Sequence, residues 1–261
     1  MKINSLKEKL RQKEITIGSW ITFSDPAIAE IMAKSGFDWL AVDMEHSALS
    51  ISHAQEIIRV IDLAGCVPLV RVMDDNPEVI KKCMDMGAHG VIVPRVNTKS
   101  DAEKVVNAVK YPPKGTRGVG LFRAQNYSLD LKSYQKWNDQ ESIVIVQIEH
   151  IEAVKNLSSI MDVDGIDGLI VGPYDLSASL GYPGEFEHPL VKEAFQTIQS
   201  TINKSSTSWG FHVVDPDPNI VMDKINEGYK FIAFGVDFLF FSSTCNKKLS
   251  LLKKLIAKQK Q

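Results

Sequence analysis

Three cysteines in 261 residues, Cys66, Cys83 and Cys245, are too few and too scattered for a disulfide framework, and none stands in a C-x-x-C pair that suggests structural zinc. They read as reduced thiols of a cytoplasmic protein. No window approaches the ~20 uninterrupted apolar residues of a membrane span. The opening Met1-Lys2-Ile3-Asn4-Ser5-Leu6-Lys7 has neither an apolar leader segment nor a small-residue cleavage site. No sign of charge dominates either: Lys+Arg 30 against Asp+Glu 32 leaves −2, which gives no basic field for nucleic acid or an anionic membrane. What remains, 44% hydrophobic and 24% charged residues, is the composition of a folded globular chain.

Short apolar runs alternate with longer amphipathic stretches from end to end. Strands are expected at 15–22, 39–44, 67–72, 90–96, 143–149, 168–171, 209–214 and 231–236. Most are apolar on both faces, as in Leu-Ala-Val-Asp (40–43) and Val-Ile-Val-Pro (91–94), the mark of a parallel sheet covered on two sides. Helices are expected at 26–34, 51–63, 77–86, 101–109, 152–161, 189–202, 218–226 and 247–257, several with Pro at the start and Gly past the end. About eight β-then-α units in roughly 250 residues is the arithmetic of an α/β chain folded as a single (β/α)8 TIM barrel over 1–261. An open doubly wound sheet is the rival, but the first turn, Thr22-Phe23-Ser24-Asp25-Pro26, is not glycine-rich. The phrases at 35–40, 86–91 and 227–232 each run a helix through Gly into a strand, so the units are equivalent. One irregular stretch, 111–138, interrupts the fourth unit and is expected to bring backbone amides toward the rim.

In such barrels the chemistry sits where the strands end. Strand two ends Asp43-Met44-Glu45-His46, strand three in Arg71, strand four in Arg95 and strand five in Gln147-Ile148-Glu149. Strand six runs into Gly172-Pro173-Tyr174-Asp175, strand seven carries His212 and strand eight ends near Asp237. So many ionisable groups on one apolar rim must pair with each other, a metal or a substrate. Glu149 and Asp175, on adjacent strands, suit one divalent cation such as Mg2+ or Mn2+, or equally an acid/base pair or capping carboxylates. Asp43, three residues before His46, could orient its ring as a general base, against the plainer reading of a structural histidine. Arg71 suits a carboxylate or enolate oxygen, and an ion pair with Glu45 or Asp43 is compatible with that role. No lysine stands at any strand end, which disfavours a Schiff-base mechanism. The Gly115-Thr116-Arg117-Gly118-Val119-Gly120 turn matches no nucleotide-binding pattern.

Several motifs together resemble the HpcH/HpaI aldolase family. They are Gly-Phe-Asp-Trp-Leu-Ala-Val-Asp-Met-Glu-His (36–46), Pro-Leu-Val-Arg-Val (68–72), Gly-Ala-His-Gly-Val-Ile-Val-Pro (87–94), Pro-Pro-Lys-Gly-Thr-Arg-Gly-Val-Gly (112–120), Val-Gln-Ile-Glu (146–149) and Val-Gly-Pro-Tyr-Asp-Leu-Ser (171–177). The resemblance implies a class II pyruvate aldolase, with Glu149 and Asp175 holding Mg2+ or Mn2+ (Co2+ or Zn2+ as further candidates) and Arg71 facing the pyruvate keto oxygen. It implies a His46–Asp43 acid/base dyad, Gln147 beside the pyruvyl group, and the backbone of Gly172, Pro173, Tyr174 and Asp175 around the substrate carboxylate. The reaction so implied is reversible cleavage of a 4-hydroxy-2-oxo acid to pyruvate and an aldehyde. Oxaloacetate decarboxylation or citrate-lyase-like chemistry on the same enolate is the alternative, and a non-catalytic barrel a more distant one. The family's assembly, a hexamer built as a trimer of dimers, implies that the C-terminal helix is exchanged between subunits. Ser47, Arg95, His150 and the run Phe238-Leu239-Phe240-Phe241 depart from the family's usual residues and bear on the aldehyde. Arg95 and Arg123 are expected to bias its pocket toward an acidic or polyhydroxylated partner.

Overall fold

A computed structural model describes residues 4–202, 204 and 207–259. Eight parallel strands close into a barrel in sequence order: β1 (Thr16–Ile21), β2 (Trp39–Asp43), β3 (Val67–Arg71), β4 (Gly90–Val93), β5 (Ile143–Ile148), β6 (Gly168–Val171), β7 (Ser208–Val213) and β8 (Phe231–Val236). The expected (β/α)8 barrel is therefore the fold. Around it run α1 (Ser5–Gln12), α2 (Pro26–Lys34), α3 (Ile51–Leu63), α4 (Pro77–Asp85), α5 (Lys99–Val109), α6 (Leu131–Glu141), α7 (Ile151–Lys155), α8 (Leu157–Met161), α9 (Pro173–Ser179), α10 (Pro189–Ile202), α11 (Pro218–Asn226) and α12 (Asp237–Gln259). The helix starts follow their caps: Asp25, Asn76 and Asp217 each accept an amide of the first turn ahead of a Pro at its start. The single helix expected at 152–161 is two short ones, α7 and α8, meeting at Asn156. No helix among the described residues is long and apolar enough to cross a membrane.

The barrel interior is filled, not hollow. Trp39 stacks on Phe231 with ring centres 4.2 Å apart, and Trp20 meets Trp39 edge-on at 6.2 Å. Above and around them pack Ala41, Leu69, Ile92, Ile145, Ile170 and Ala233, all buried. Gly18 stands opposite Trp39 in the β1–β2 register, and a Cβ there would run into the indole ring. The lower end of the barrel is plugged by α1, whose Leu6 and Leu10 join this interior cluster. Its Lys7 bonds the Ser142 carbonyl at 2.8 Å and the Asp167 carboxylate at 2.5 Å.

The irregular 111–138 stretch corrects the sequence reading. It joins α5 to β5, so it lies at the N-terminal end of the strands, away from the rim. Arg117 is buried there between the rings of Tyr111 and Tyr134, 4.7 and 5.4 Å from their centres, and pairs with Asp85 at 2.5 Å. The amides of Gly115, Thr116 and Arg117 bond to Tyr111, Asn107 and Lys110 carbonyls, so none is offered to a ligand at the rim. Arg123 bonds Asp62 and the Met86 carbonyl on this same face, which removes it from any aldehyde pocket. Composition marked the segment as unusual but carried no information about which face it occupies.

α12 leaves β8 directly and runs for 23 residues, with Asp237 its one buried residue among those described. Phe241, Leu249, Leu251, Leu252, Leu255 and Ile256 are all exposed along it.

Because Gly18 yields its side-chain space to Trp39, Gly18→Ala is expected to lower stability by about 1–3 kcal/mol, read by urea unfolding. An unchanged midpoint would show that the indole is not packed against β1.

Candidate active site

A cavity of about 320 Å3 opens at the C-terminal ends of the strands, lined by Trp20, Asp43, His46, Arg71, Gln147, Gly172, Pro173, Tyr174, Asp175 and His212 among others. Among the described residues no lysine lines it. Of the rim residues singled out in the sequence, Asp43, His46, Arg71, Gln147, His212 and the Gly172–Asp175 turn line this cavity, and Glu45, Arg95, Glu149 and Asp237 do not.

The β2–β3 register sets Asp43 directly across from Arg71. Arg71 Nε and Nη2 donate to the two oxygens of Asp43 at 2.9 and 2.6 Å, and the guanidinium lies 4.2 Å from the centre of the Trp20 ring. Burial pushes the Asp43 carboxyl up, but the hydrogen bonds and charge of Arg71 more than reverse this and hold it below its ordinary value. Asp43 Oδ1 also accepts the backbone amides of Glu45 and His46 at 3.1 and 3.2 Å, so the same carboxylate shapes the turn that follows β2.

That arrangement corrects the expected Asp43–His46 side-chain dyad. A planar guanidinium takes both oxygens of Asp43, leaving His46 only a backbone link to it. The His46 ring instead lies with Nε2 3.5 Å from Glu45 Oε2, and its side chain is 55% exposed at the mouth. Glu45 is the residue that sequence reasoning underrated, having appeared only as a partner for Arg71, which it does approach at 3.6 Å. Its Oε2 is sealed from solvent without a hydrogen bond. Burial, aided by the nearby Glu149 and Asp43 charges, raises its carboxyl to about 7 despite Arg71.

Glu149 stands just past the end of β5, buried behind the cavity wall. Its Oε1 accepts the Arg95 amide at 2.7 Å, and its Oε2 accepts from the Gln147 side-chain amide. Arg95 adopts a left-handed backbone, φ 55°, which aims that amide at the carboxylate, an unusual conformation for a non-glycine residue. The Arg95 guanidinium turns away to the Met73 carbonyl at 2.7 Å. Burial raises the Glu149 carboxyl, and the Asp175 charge adds to the rise. Neither Glu149 nor Asp175 forms a salt bridge among the described residues. Gly172 sits where a Cβ would lie 3.1 Å from Glu149 Oε2 and 3.4 Å from Gln147 Nε2, so its missing side chain leaves room beside these groups. No side chain caps the start of α9 at Gly172, so the amides of its first turn are not taken by a capping group.

Other candidates have structural roles. Asp237 accepts the Thr22 amide and hydroxyl at 2.7 and 2.6 Å and the Phe23 amide at 2.8 Å, tying the end of β1 to α12. His150 caps α7, His53 caps α3 and His188 stacks on Tyr182. His212 packs against Trp20 at 5.5 Å, with its Nε2 closed off and unpartnered. Burial first, then Arg71, lowers this imidazole to about 3, so it is neutral.

A parallel barrel whose rim gathers carboxylates and one clamped arginine, with no lysine among the described residues that line it, suits chemistry on an anionic substrate without a Schiff base. The chain belongs to the HpcH/HpaI aldolase/citrate lyase family, whose pattern matches residues 16–243. It is a carbon–carbon lyase of the aldolase type. A 2-keto-3-deoxy-L-rhamnonate aldolase of Escherichia coli is 36% identical over 252 residues, 96% of this chain and 93% of that protein. Among solved structures, a HpcH/HpaI aldolase/citrate lyase family protein from Burkholderia cenocepacia superposes with a TM-score of 0.90 at 31% identity, covering 96% of this chain and 99% of that one. An HpcH/HpaI aldolase from Desulfitobacterium hafniense superposes with a TM-score of 0.85 at 29% identity, covering 95% and 96%.

The raised Glu45 carboxyl has a pH signature. It keeps its proton in the folded chain up to about 7, whereas the unfolded chain loses it near the ordinary 4.5. The folded state then binds more protons across that window, so stability falls as pH rises through it. In EDTA, unfolding free energy is expected to drop by about 2–3 kcal/mol between pH 4.5 and 7 through this group. Glu45→Gln should flatten the fall; an unchanged slope in that variant would assign it to other groups.

Proposed function

We propose that this enzyme is a divalent-metal-dependent aldolase that reversibly cleaves a 4-hydroxy-2-oxo acid into pyruvate and an aldehyde. The observation that carries the reading is the pair Glu149 and Asp175, acidic groups in no salt bridge among the described residues, beside an arginine already fixed by Asp43. The donor set is hard oxygen, next to space left by Gly172, and suits Mg2+ or Mn2+. Such a cation, when bound, acts as a Lewis acid toward negative charge on the substrate oxygens.

The chain's own residues account for the rest. Arg71 faces the 2-oxo group and stabilises the charge that gathers there, at no reorganisation cost because Asp43 and Trp20 already hold it. Gln147 lies against the pyruvyl group, and the turn at Gly172 and Pro173 presents the amides of Tyr174 and Asp175 to the carboxylate at the start of α9, the Gly172 amide being taken by the Ile148 carbonyl at 3.1 Å. His46, at the mouth and oriented by Glu45, accepts the proton of the C4 hydroxyl. The C4–O electrons then form the aldehyde carbonyl, the C3–C4 bond breaks, and its electron pair moves into the C2–C3 enolate. Protonation of C3 completes pyruvate. The acceptor aldehyde of a sugar-acid substrate, like that named for the E. coli relative, is a small hydroxylated one.

The exposed apolar residues of α12 support exchange of this helix between two copies, within a hexamer built as a trimer of dimers.

Pyruvate should exchange its methyl protons into deuterated water in the presence of Mn2+ or Mg2+, followed by NMR. EDTA and Glu149→Ala should each abolish exchange, and Arg71→Ala should slow it by about 10²–10³-fold. Exchange surviving both EDTA and Glu149→Ala would contradict the metal-enolate reading.

A further inference from the structure

The catalytic cavity is not the largest space in the molecule. A second one, of about 780 Å3, lies on the outer side of β7 between α10 and α11. A concave space of this size with largely apolar walls has the dimensions of a ligand site. Its wall is a continuous aromatic ladder. Tyr174 meets Phe186 at 5.2 Å, Phe186 meets Phe195 at 6.4 Å, Phe195 meets Phe211 at 6.3 Å, and Phe211 meets Tyr229 at 5.1 Å.

The shape is a channel open to solvent along one side, past the exposed Lys192 and Gln196. It follows β7, a six-residue strand, and so runs for roughly 20 Å. At the lower end the Gln199 side chain bonds the Glu227 carbonyl, linking α10 to the turn after α11. At the upper end Pro173, Tyr174, His212 and Val214 line both this channel and the catalytic cavity, so the two spaces meet over the end of β7. The cations beside it are already matched: Lys192 with Glu187 at 2.5 Å, and Lys224 with Glu227 at 2.8 Å. Lys224 lies over the Phe211 ring at 4.7 Å, covering it with its stem and not offering a free charge. Among the described residues, no unpaired cation along these walls would meet an anionic tail.

We infer that this channel is a subsite for the neutral, apolar tail of the aldehyde component: a straight-chain aliphatic aldehyde reacts at the rim while its chain crosses the end of β7 and lies along the aromatic ladder. The inference rests on the aldolase reading above and extends it to a substrate class that a small hydroxylated aldehyde does not represent.

The test is kcat/KM for pyruvate addition to linear aldehydes from ethanal to octanal, with the Mn2+-loaded full-length enzyme. The rate constant is expected to be flat for the shortest members, which do not reach the channel, then to rise by about threefold for each further methylene buried. Gln196 faces the channel from the exposed side of α10. Gln196→Trp should fill the channel and abolish the rise, with ethanal turnover within about twofold of the parent. A flat series with ethanal active would overturn the subsite and leave the aldolase reading standing. A rise that persists in Gln196→Trp would place the tail elsewhere and overturn it too. No turnover of ethanal or any longer aldehyde would defeat both.

Discussion

The rim is organised by one buried ion pair. Asp43 and Arg71 face each other across β2 and β3, and both guanidinium bonds are short and bidentate. Burying two charges is expensive, and such a pair rarely stabilises a fold relative to apolar residues of the same size. Its worth here is positional. Arg71 is held against Trp20 before any substrate arrives, and the Asp43 oxygen that receives its Nε also takes two amides of the following turn. One carboxylate thus fixes the arginine and, through the backbone, the placement of Glu45 and His46.

The two ends of the barrel are built differently. At the N-terminal end the charged groups are paired, with Arg117 Nε left without a hydrogen bond: Lys110 bonds the Asn138 carbonyl, the Asp139 carbonyl and the Ser142 hydroxyl, and burial lowers its amine to about 8. Arg117, Lys7 and Asp167 are tied in the same way. At the C-terminal end the balance is left open. Glu45 has a sealed oxygen with no hydrogen bond, Glu149 sits near a second carboxylate, and Arg95 holds a strained backbone to serve it. Unmet charge concentrates where a cation and an anionic substrate can complete it, and the folded lower end bears the cost.

The strands were legible because doubly apolar runs such as 40–43 and 91–94 have few alternatives to a covered parallel sheet, and the barrel followed from counting them. The rim residues were legible because strand ends are where such runs stop. Pairing was legible only in part: the strand ends allow an ion pair of Arg71 with Asp43 or Glu45, and the structure forms it with Asp43, but the three-residue spacing of Asp43 and His46 also suggests a side-chain dyad that the sheet register, with Arg71 directly opposite Asp43, does not form. The 111–138 stretch showed the same limit: its glycines mark an irregular loop, but only the strand it precedes fixes its face. The aromatic channel was the least legible, because Tyr174, Phe186, Phe195, Phe211 and Tyr229 come from separate elements and read singly as ordinary core.

The most direct test of this organisation is a double-mutant cycle on Asp43→Asn and Arg71→Lys, measured as kcat/KM for cleavage of a 4-hydroxy-2-oxo acid. If Asp43 acts by holding Arg71, the double variant should be little worse than the poorer single one, with a coupling energy of about 1.5 kcal/mol or more. Strict additivity of the two losses would show that the pair does not position the arginine and would contradict the account.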